Sequence, residues 1–221
     1  MKMLIVFKKS PRLRFIGHLD LMRTMQRTLR RSDLPVRYSQ GFNPHMLLNF
    51  ASPLSVGITG EREIMEVPVE GNITAEEFKK VFSGVLPVDL PCISVRAVED
   101  THAAPMALCH SAGYRCDLTQ PVEGLAEKIA AFTAQEAIPA IRHTKSGDKP
   151  CDLKPMISAF TANGDARMNM ILDLRENSTC KPDLLLNSFF EYLGQPVPEY
   201  HLTRVQLYGL KDSVLTPLED L

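Results

Sequence analysis

The sequence has 221 residues, of which 44% are hydrophobic and 23% charged, and this composition is typical of a folded globular protein. Its longest apolar stretches are too short to cross a bilayer, and Lys8 and Lys9 interrupt the N-terminal one before it resembles a signal peptide. These features argue against membrane proteins and secreted proteins, so we expect a cytoplasmic protein that makes no membrane contact.

The formal net charge of −1 hides an uneven distribution. Residues 1–50 contain ten Lys and Arg against only Asp20 and Asp33, a balance of +8, whereas the remaining residues carry 15 basic and 24 acidic side chains. A local cationic region on a nearly neutral chain attracts phosphates or an acidic protein surface.

The cysteines give little support to a metal site. There are five, and none forms a C-x-x-C pair: Cys92, Cys109, Cys116, Cys151 and Cys180. Cys109-His110 followed by Cys116 is the one local cluster that suggests a metal, but structural zinc usually requires four ligands at paired spacing. We therefore predict no metal and no cofactor.

The first half predicts the order β-α-β-β-α-β. Residues 1–9 favour a strand, 18–35 a helix, 35–40 and 47–52 short extended segments, 62–70 a strand at a sheet edge because of Pro68, 74–87 a helix, and 91–99 a strand. Thr74 and Glu77 have the spacing of a capping box. In the first helix, Leu19, Met22, Met25 or Gln26, and Leu29 are predicted to share the buried face.

The second half repeats this order. Strands are predicted at 113–119, 138–144, 168–176 and 201–210, and helices at 121–135 and 181–195. Residues 145–165 predict a turn at Ser146-Gly147-Asp148 and an added strand or short helix. The fold class is therefore α+β, with two tandem ferredoxin-like (βαββαβ) units at 1–100 and 101–221.

Four arginines occupy the face of the first helix opposite its apolar residues: Arg23, Arg27, Arg30 and Arg31. Only Asp20 is close enough in sequence to neutralise them, and like charges at i, i+4 oppose helix formation. Guanidinium groups bind phosphate in a bidentate manner. The stripe indicates phosphate or nucleic-acid contact, a protein interface, or a plain solvated surface.

Two histidines and one aspartate are candidate catalytic residues: His18, Asp20 and His45. A histidine pKa near 6.5 suits general acid or base chemistry. For His18 and Asp20 the structural alternative is that either one caps the first helix, with Asp20 favourable at its positive dipole end. No phosphate loop, dinucleotide fingerprint or catalytic triad pattern accompanies these residues.

The segment "GFNPHMLLNFASPLSVG" at 41–57 follows the cationic helix. Gly41 permits a positive φ, and Pro44 forces Asn43 into an extended conformation. One interpretation is a rigid loop that borders a cationic groove, with Tyr38, Phe42, Asn43 and His45 reading or stacking on bases. The other is a crossover between strands that buries Phe42 in the core.

Residues 13–57, with the phrases "FIGHLD" and "GFNPH", closely resemble the opening of a bacterial family of radical SAM-associated proteins of unknown function. "CDLKP" at 151–155 resembles a further phrase of that family, whereas Met46 stands where many members have proline. The resemblance implies a radical SAM protein as partner. The chain lacks the C-x3-C-x2-C spacing of a radical SAM cluster, so it is not itself expected to be the radical enzyme.

These observations predict a non-catalytic accessory or substrate-binding protein that works with a radical SAM enzyme and contacts RNA or a ribonucleoprotein through Arg23, Arg27, Arg30 and Arg31. The predicted fold is also similar to that of CRISPR repeat-processing endoribonucleases. A metal-independent RNA-processing or RNA-modifying enzyme that uses His18 or His45 is therefore an alternative, and a protein interaction module is another. Asp152 and Lys154 would join a site only if the two halves face each other.

Overall fold

The computed structural model describes residues 1–144, 147–176 and 178–221. The chain divides into two compact units, unit 1 with residues 1–109 and 206–221 and unit 2 with residues 110–205. The domain boundary predicted from the sequence, between residues 100 and 101, stays a prediction. Ser146, one position of the expected turn, lies outside the described residues.

The protein is α+β, as predicted, with a large sheet and several helices. In chain order the elements are β1 (Lys2–Lys9), α1 (His18–Arg31), β2 (Asn49–Phe50), β3 (Thr59–Pro68), α2 (Ala75–Val85), β4 (Cys92–Val98), α3 (Pro105–Leu108), β5 (Ser111–Leu118), α4 (Leu125–Thr133), β6 (Pro139–Thr144), β7 (Gly147–Asp152), β8 (Ile157–Ala162), β9 (Arg167–Asp173), α5 (Pro182–Tyr192), β10 (Tyr200–Lys211) and β11 (Val214–Pro217).

In unit 1 the central strand is β1, which pairs antiparallel with both β3 and β4. The short strand β2 pairs antiparallel with β3. Strands place successive side chains on opposite faces, so Met3, Ile5 and Phe7 of β1 lie on one face of the sheet. This face packs against apolar side chains of α1 and α2, and the resulting core fixes the position of α1.

The buried face of α1 differs from the prediction. Leu21, Met25 and Leu29 are buried, whereas Leu19 is 59% exposed. Leu21 and Leu29 are eight residues apart and Met25 lies midway, a regular i, i+4 series that points at the sheet. Leu19 lies outside that series, so its assignment to the core face was wrong.

Two further predictions in unit 1 were wrong. Pro68 does not mark a sheet edge, because β3 is paired on both sides and Pro68 is simply its last residue. Residues 35–40 form no strand; Val36 and Tyr38 make only isolated bridges to Val69 and Met46. Isolated bridges, rather than a continuous strand ladder, therefore connect the backbone of this segment to its neighbours.

The capping box of α2 is confirmed. The Thr74 hydroxyl oxygen accepts from the Glu77 backbone N–H at 3.2 Å, and the Glu77 carboxylate accepts from the Thr74 N–H at 3.0 Å. The helix ends at Val85, two residues before Pro87. Local sequence thus determined both ends of this helix.

In unit 2 the strand order is β10-β5-β9-β8, with β5 and β8 both antiparallel to β9. Helices α4 and α5 contribute Phe132 and Phe189 to an aromatic cluster that also contains Phe160 of β8. Among the residues that the structure describes, strands β6 and β7 pair only with each other, as a separate ribbon. Strands β7 and β8 and a short 3-10 helix at Lys154–Met156 confirm that this region holds added secondary structure, whereas the expected turn, which includes Ser146, stays a prediction.

Candidate nucleic-acid interface

The four arginines of α1 are all exposed, on the face turned away from the sheet of unit 1. Arg23 forms an ion pair with Asp20 at 3.2 Å, one helical turn earlier. Arg31 donates to the carbonyl oxygen of Val85 at 3.1 Å and so ties the end of α1 to the end of α2. The side chains of Arg27 and Arg30 make no hydrogen bond or ion pair with any described residue. Two of the four guanidinium groups are therefore fully available to a ligand.

The loop after α1 is closed by polar contacts at its base. Ser39 N–H donates to the carbonyl of His45 at 2.8 Å, and His45 N–H donates to the Ser39 hydroxyl at 3.0 Å. The same hydroxyl lies 2.7 Å from Nδ1 of the His45 ring. Residues 39 and 45 are thus held together on either side of a short tip, and the loop has a defined path.

Two aromatic rings of this loop face solvent. Phe42, at the tip, is fully exposed, and Tyr38, at the base, is 40% exposed. Asn43 and His45 are also exposed. The interpretation that buries Phe42 in the core was therefore wrong. Exposed aromatic rings beside cationic side chains are the groups that single-stranded nucleic acids contact.

An arginine that the sequence argument did not single out anchors the base of the loop. Arg37 donates to the carbonyl oxygens of Val69 at 3.1 Å and of Met1 at 2.7 Å, and its guanidinium is paired with Asp100. Hydrogen bonds from the N-terminal amine and from Arg37 lower the pKa of Asp100. No local sequence pattern indicates this arrangement, since its partners are distant in the chain.

The candidate catalytic residues have separate partners. The His18 ring packs edge-on against Phe50, with centroids 5.2 Å apart. Asp20 pairs with Arg23, and His45 contacts Ser39. These contacts do not assemble the three side chains into one hydrogen-bonded group. The enzyme hypothesis based on His18 and His45 stays a prediction.

The expected capping of α1 by a side chain was wrong. The N-cap residue is Gly17, which has no side chain to cap the helix, rather than His18 or Asp20. Asp20 lies in the first turn, where a carboxylate interacts favourably with the positive end of the helix dipole, as expected.

A buried lysine of β1 joins the segment that precedes α1 to residues 57 and 58, at the end of the sequence signature. Lys9 is 1% exposed, and its ammonium group donates to the carbonyl oxygens of Ile16 at 2.9 Å, Ile58 at 3.4 Å and Arg14 at 3.5 Å. Gly57 N–H also donates to the Arg14 carbonyl at 2.7 Å. Lys9 therefore fixes the segment that leads into α1. A lysine in an apolar strand was a signal of this role that the sequence argument did not use.

In unit 2, Asp152 and Lys154 have structural partners. Asp152 Oδ1 accepts from the backbone N–H groups of Ile138 at 2.8 Å and Lys154 at 2.9 Å, and these bonds lower its pKa. The Lys154 ammonium donates to the carbonyl of Gln135 at 3.0 Å, just beyond α4. Both side chains thus fix the base of the β6–β7 ribbon.

The structure gives no metal centre within residues 1–144, 147–176 and 178–221, where no group of three or more potential ligands converges. In the suggested Cys109-His110-Cys116 cluster, His110 Nδ1 contacts the Ser111 hydroxyl at 2.7 Å. Cys116 is completely buried, and desolvation raises its pKa to about 12. A thiol of this kind does not ionise readily to bind a metal.

Comparison with known proteins identifies a family. The family model described as "Uncharacterized protein conserved in bacteria (DUF2344)" matches residues 2–182, which include α1, the exposed loop and most of unit 2. A search of curated proteins found no match. Among the described residues, no helix has both the length and the apolar character needed to cross a bilayer.

Proposed function

Since the chain belongs to this conserved bacterial family, we propose a function for it on the basis of unit 1: it is a non-catalytic, RNA-binding accessory protein. The exposed arginines of α1 contact the phosphate backbone. The loop that follows α1 contributes its exposed polar and aromatic side chains to the same ligand.

The availability of Arg27 and Arg30 carries the proposal. Both guanidinium groups project from one helix face without a partner among the described residues. They are three positions apart and therefore neighbours on the helix surface. Two adjacent guanidinium groups match the repeated negative charge of a nucleic-acid strand, since each can bind a phosphate in a bidentate manner.

The other two arginines have supporting roles. Arg23 shares its charge with Asp20, and Arg31 is held by the Val85 carbonyl. Arg31 consequently keeps the cationic helix in place, and Arg23 extends the positive surface towards the start of α1. We expect Arg27 and Arg30 to dominate the electrostatic contact.

The accessory role includes a radical SAM enzyme as partner. This part of the proposal is based on the resemblance of residues 13–57 to radical SAM-associated proteins and on the lack of a C-x3-C-x2-C cluster motif in the sequence. Capture of the tagged protein from its own cells after nuclease treatment tests it. We expect a radical SAM protein to be recovered, and its absence with and without nuclease would contradict this partnership.

We also propose that each unit is a ferredoxin-like βαββαβ sandwich. Supporting this, the strand orders β4-β1-β3-β2 in unit 1 and β10-β5-β9-β8 in unit 2 place the first strand of each unit between its fourth and third strands. In unit 2 the β6–β7 ribbon is then an insertion after the first helix. An experimental structure with a different strand order in either unit would contradict this assignment.

RNA binding is tested with the double variant Arg27→Ala/Arg30→Ala. Each exposed ion pair contributes up to about 1 kcal/mol, so binding of a fluorescently labelled RNA at low salt should weaken about tenfold. Arg12→Ala is the control, because Arg12 is exposed in unit 1 but lies outside α1. Equal affinity of the double variant and the wild type would contradict the proposal.

A further inference from the structure

The side chain of Phe42 is fully exposed at the tip of the loop after α1. Phenylalanine is among the side chains most often buried, and here the whole apolar surface of the ring is open to a ligand. The ring contributes nothing to the core of unit 1. Its position is better explained by contact with a ligand than by folding.

The ring is presented by a loop with a fixed base. The backbone bonds between Ser39 and His45, together with the Tyr38–Met46 bridge, hold the two arms of the loop together. Arg37 fastens the first arm to the carbonyls of Val69 and Met1. A ligand that stacks on Phe42 therefore meets a surface that is already organised, and less conformational entropy is lost on binding.

The loop is connected to the cationic helix by a short stretch of chain. Tyr38 lies eight positions after Arg30, a distance of roughly 28 Å at most for a fully extended chain. A strand of about ten nucleotides, within the range that single-strand binding modules cover, is long enough to contact both. One ligand can thus combine phosphate contact at α1 with stacking at the loop.

We infer that the RNA recognised by this protein is single-stranded at the loop, where an unpaired base stacks on Phe42. This inference rests on the proposed RNA binding through α1. Bases in a duplex are already stacked on each other, so their faces are closed to a protein ring, whereas unpaired bases are open. Tyr38 offers a second ring, and the Asn43 amide provides both donor and acceptor groups for a base edge.

The first experiment compares a labelled single-stranded RNA of about twelve nucleotides with the same strand in a duplex. We expect the wild-type protein to prefer the single strand. Phe42→Ala should weaken single-strand binding about tenfold, the loss typical of one stacked base, and leave duplex binding unchanged. Phe15→Ala is the matched control, because Phe15 is also a phenylalanine of unit 1, 69% exposed, that lies outside the loop.

The second experiment uses the lack of tryptophan in the chain. Phe42→Trp introduces a single indole, and stacking on a base should quench its fluorescence when single-stranded RNA is added. Because Phe42 makes no core contact, its variants should unfold at the same temperature as the wild type.

The outcomes separate the two hypotheses. Equal binding of single strand and duplex, with no effect of Phe42→Ala and no quenching, overturns the inference and leaves RNA binding through α1 intact. Failure of the wild-type protein to bind either RNA at low salt removes both. If Phe42→Ala abolishes capture of a protein partner but leaves RNA binding unchanged, the ring is a protein anchor and the inference is wrong.

Discussion

Lys9 is the buried charge on which the position of α1 depends. It lies at the end of β1, and its ammonium group reaches the carbonyl oxygens of Arg14, Ile16 and Ile58. The first two precede α1, and the third follows the segment that contains the sequence signature. Replacing Lys9 with methionine keeps the apolar part of the side chain at nearly the same length but removes the donor that joins these segments.

The expected loss of stability follows from these distances. A hydrogen bond from a charged donor contributes about 1.5–3 kcal/mol, which applies to the 2.9 Å bond to Ile16. The longer bonds to Ile58 and Arg14 contribute less, about 0.5 kcal/mol each. Relief of the burial cost of the ammonium offsets part of the sum. We therefore expect Lys9→Met to lower the free energy of unfolding by about 2–3 kcal/mol.

Urea unfolding measures this difference, with Lys8→Met as the matched control. Lys8 is the neighbouring lysine, but its side chain is exposed, so its replacement should change the free energy of unfolding by less than about 0.5 kcal/mol. If the two variants are equally stable, the role assigned to Lys9 is refuted.

Three other properties are open to measurement. Thr74→Ala removes the N-cap of α2 and should cost about 1 kcal/mol in urea unfolding; no loss would contradict the cap. Hydrogen bonds from the N-terminal amine and Arg37 lower the pKa of Asp100 in the folded protein. The stability that these bonds provide is present above the unfolded pKa of about 3.9 and is lost as the pH falls through the folded pKa. Asp100→Asn should therefore reduce the loss of stability between about pH 5 and 2. Burial raises the pKa of both Cys116 and Cys180 to about 12, so a thiol reagent at pH 8 should modify them only after unfolding. Rapid labelling of the native protein, detected by mass spectrometry, would contradict their burial.

Local signals in the sequence predicted some elements well. The capping box at Thr74 acts within four residues, so the start of α2 depends on nothing distant. The face of α1 was harder to predict, because both Leu19 and Leu21 are apolar and only the position of the sheet decides which one is buried. Pro68 was misread for the same reason, since strand pairing on both sides of β3 is a tertiary property.

In the candidate site, too, local features could be predicted from the sequence, whereas features that depend on tertiary contacts could not. The arginine face of α1 could be predicted from helical periodicity alone, and all four side chains are exposed. Which of these guanidinium groups can bind a ligand could not be predicted, because Arg31 donates a hydrogen bond to the carbonyl oxygen of Val85, which is distant in the sequence. Exposure of Phe42 likewise depends on the closure of the loop by Ser39 and His45, which no spacing rule predicts.

The salt dependence of RNA binding tests the central claim most directly. Each phosphate neutralised on a single strand contributes about −0.7 to the slope of the logarithm of the binding constant against the logarithm of the salt concentration. If Arg27 and Arg30 each contact one phosphate, the double alanine variant should have a slope shallower than that of the wild type by about 1.4. Identical slopes for the two proteins would contradict phosphate contact by α1.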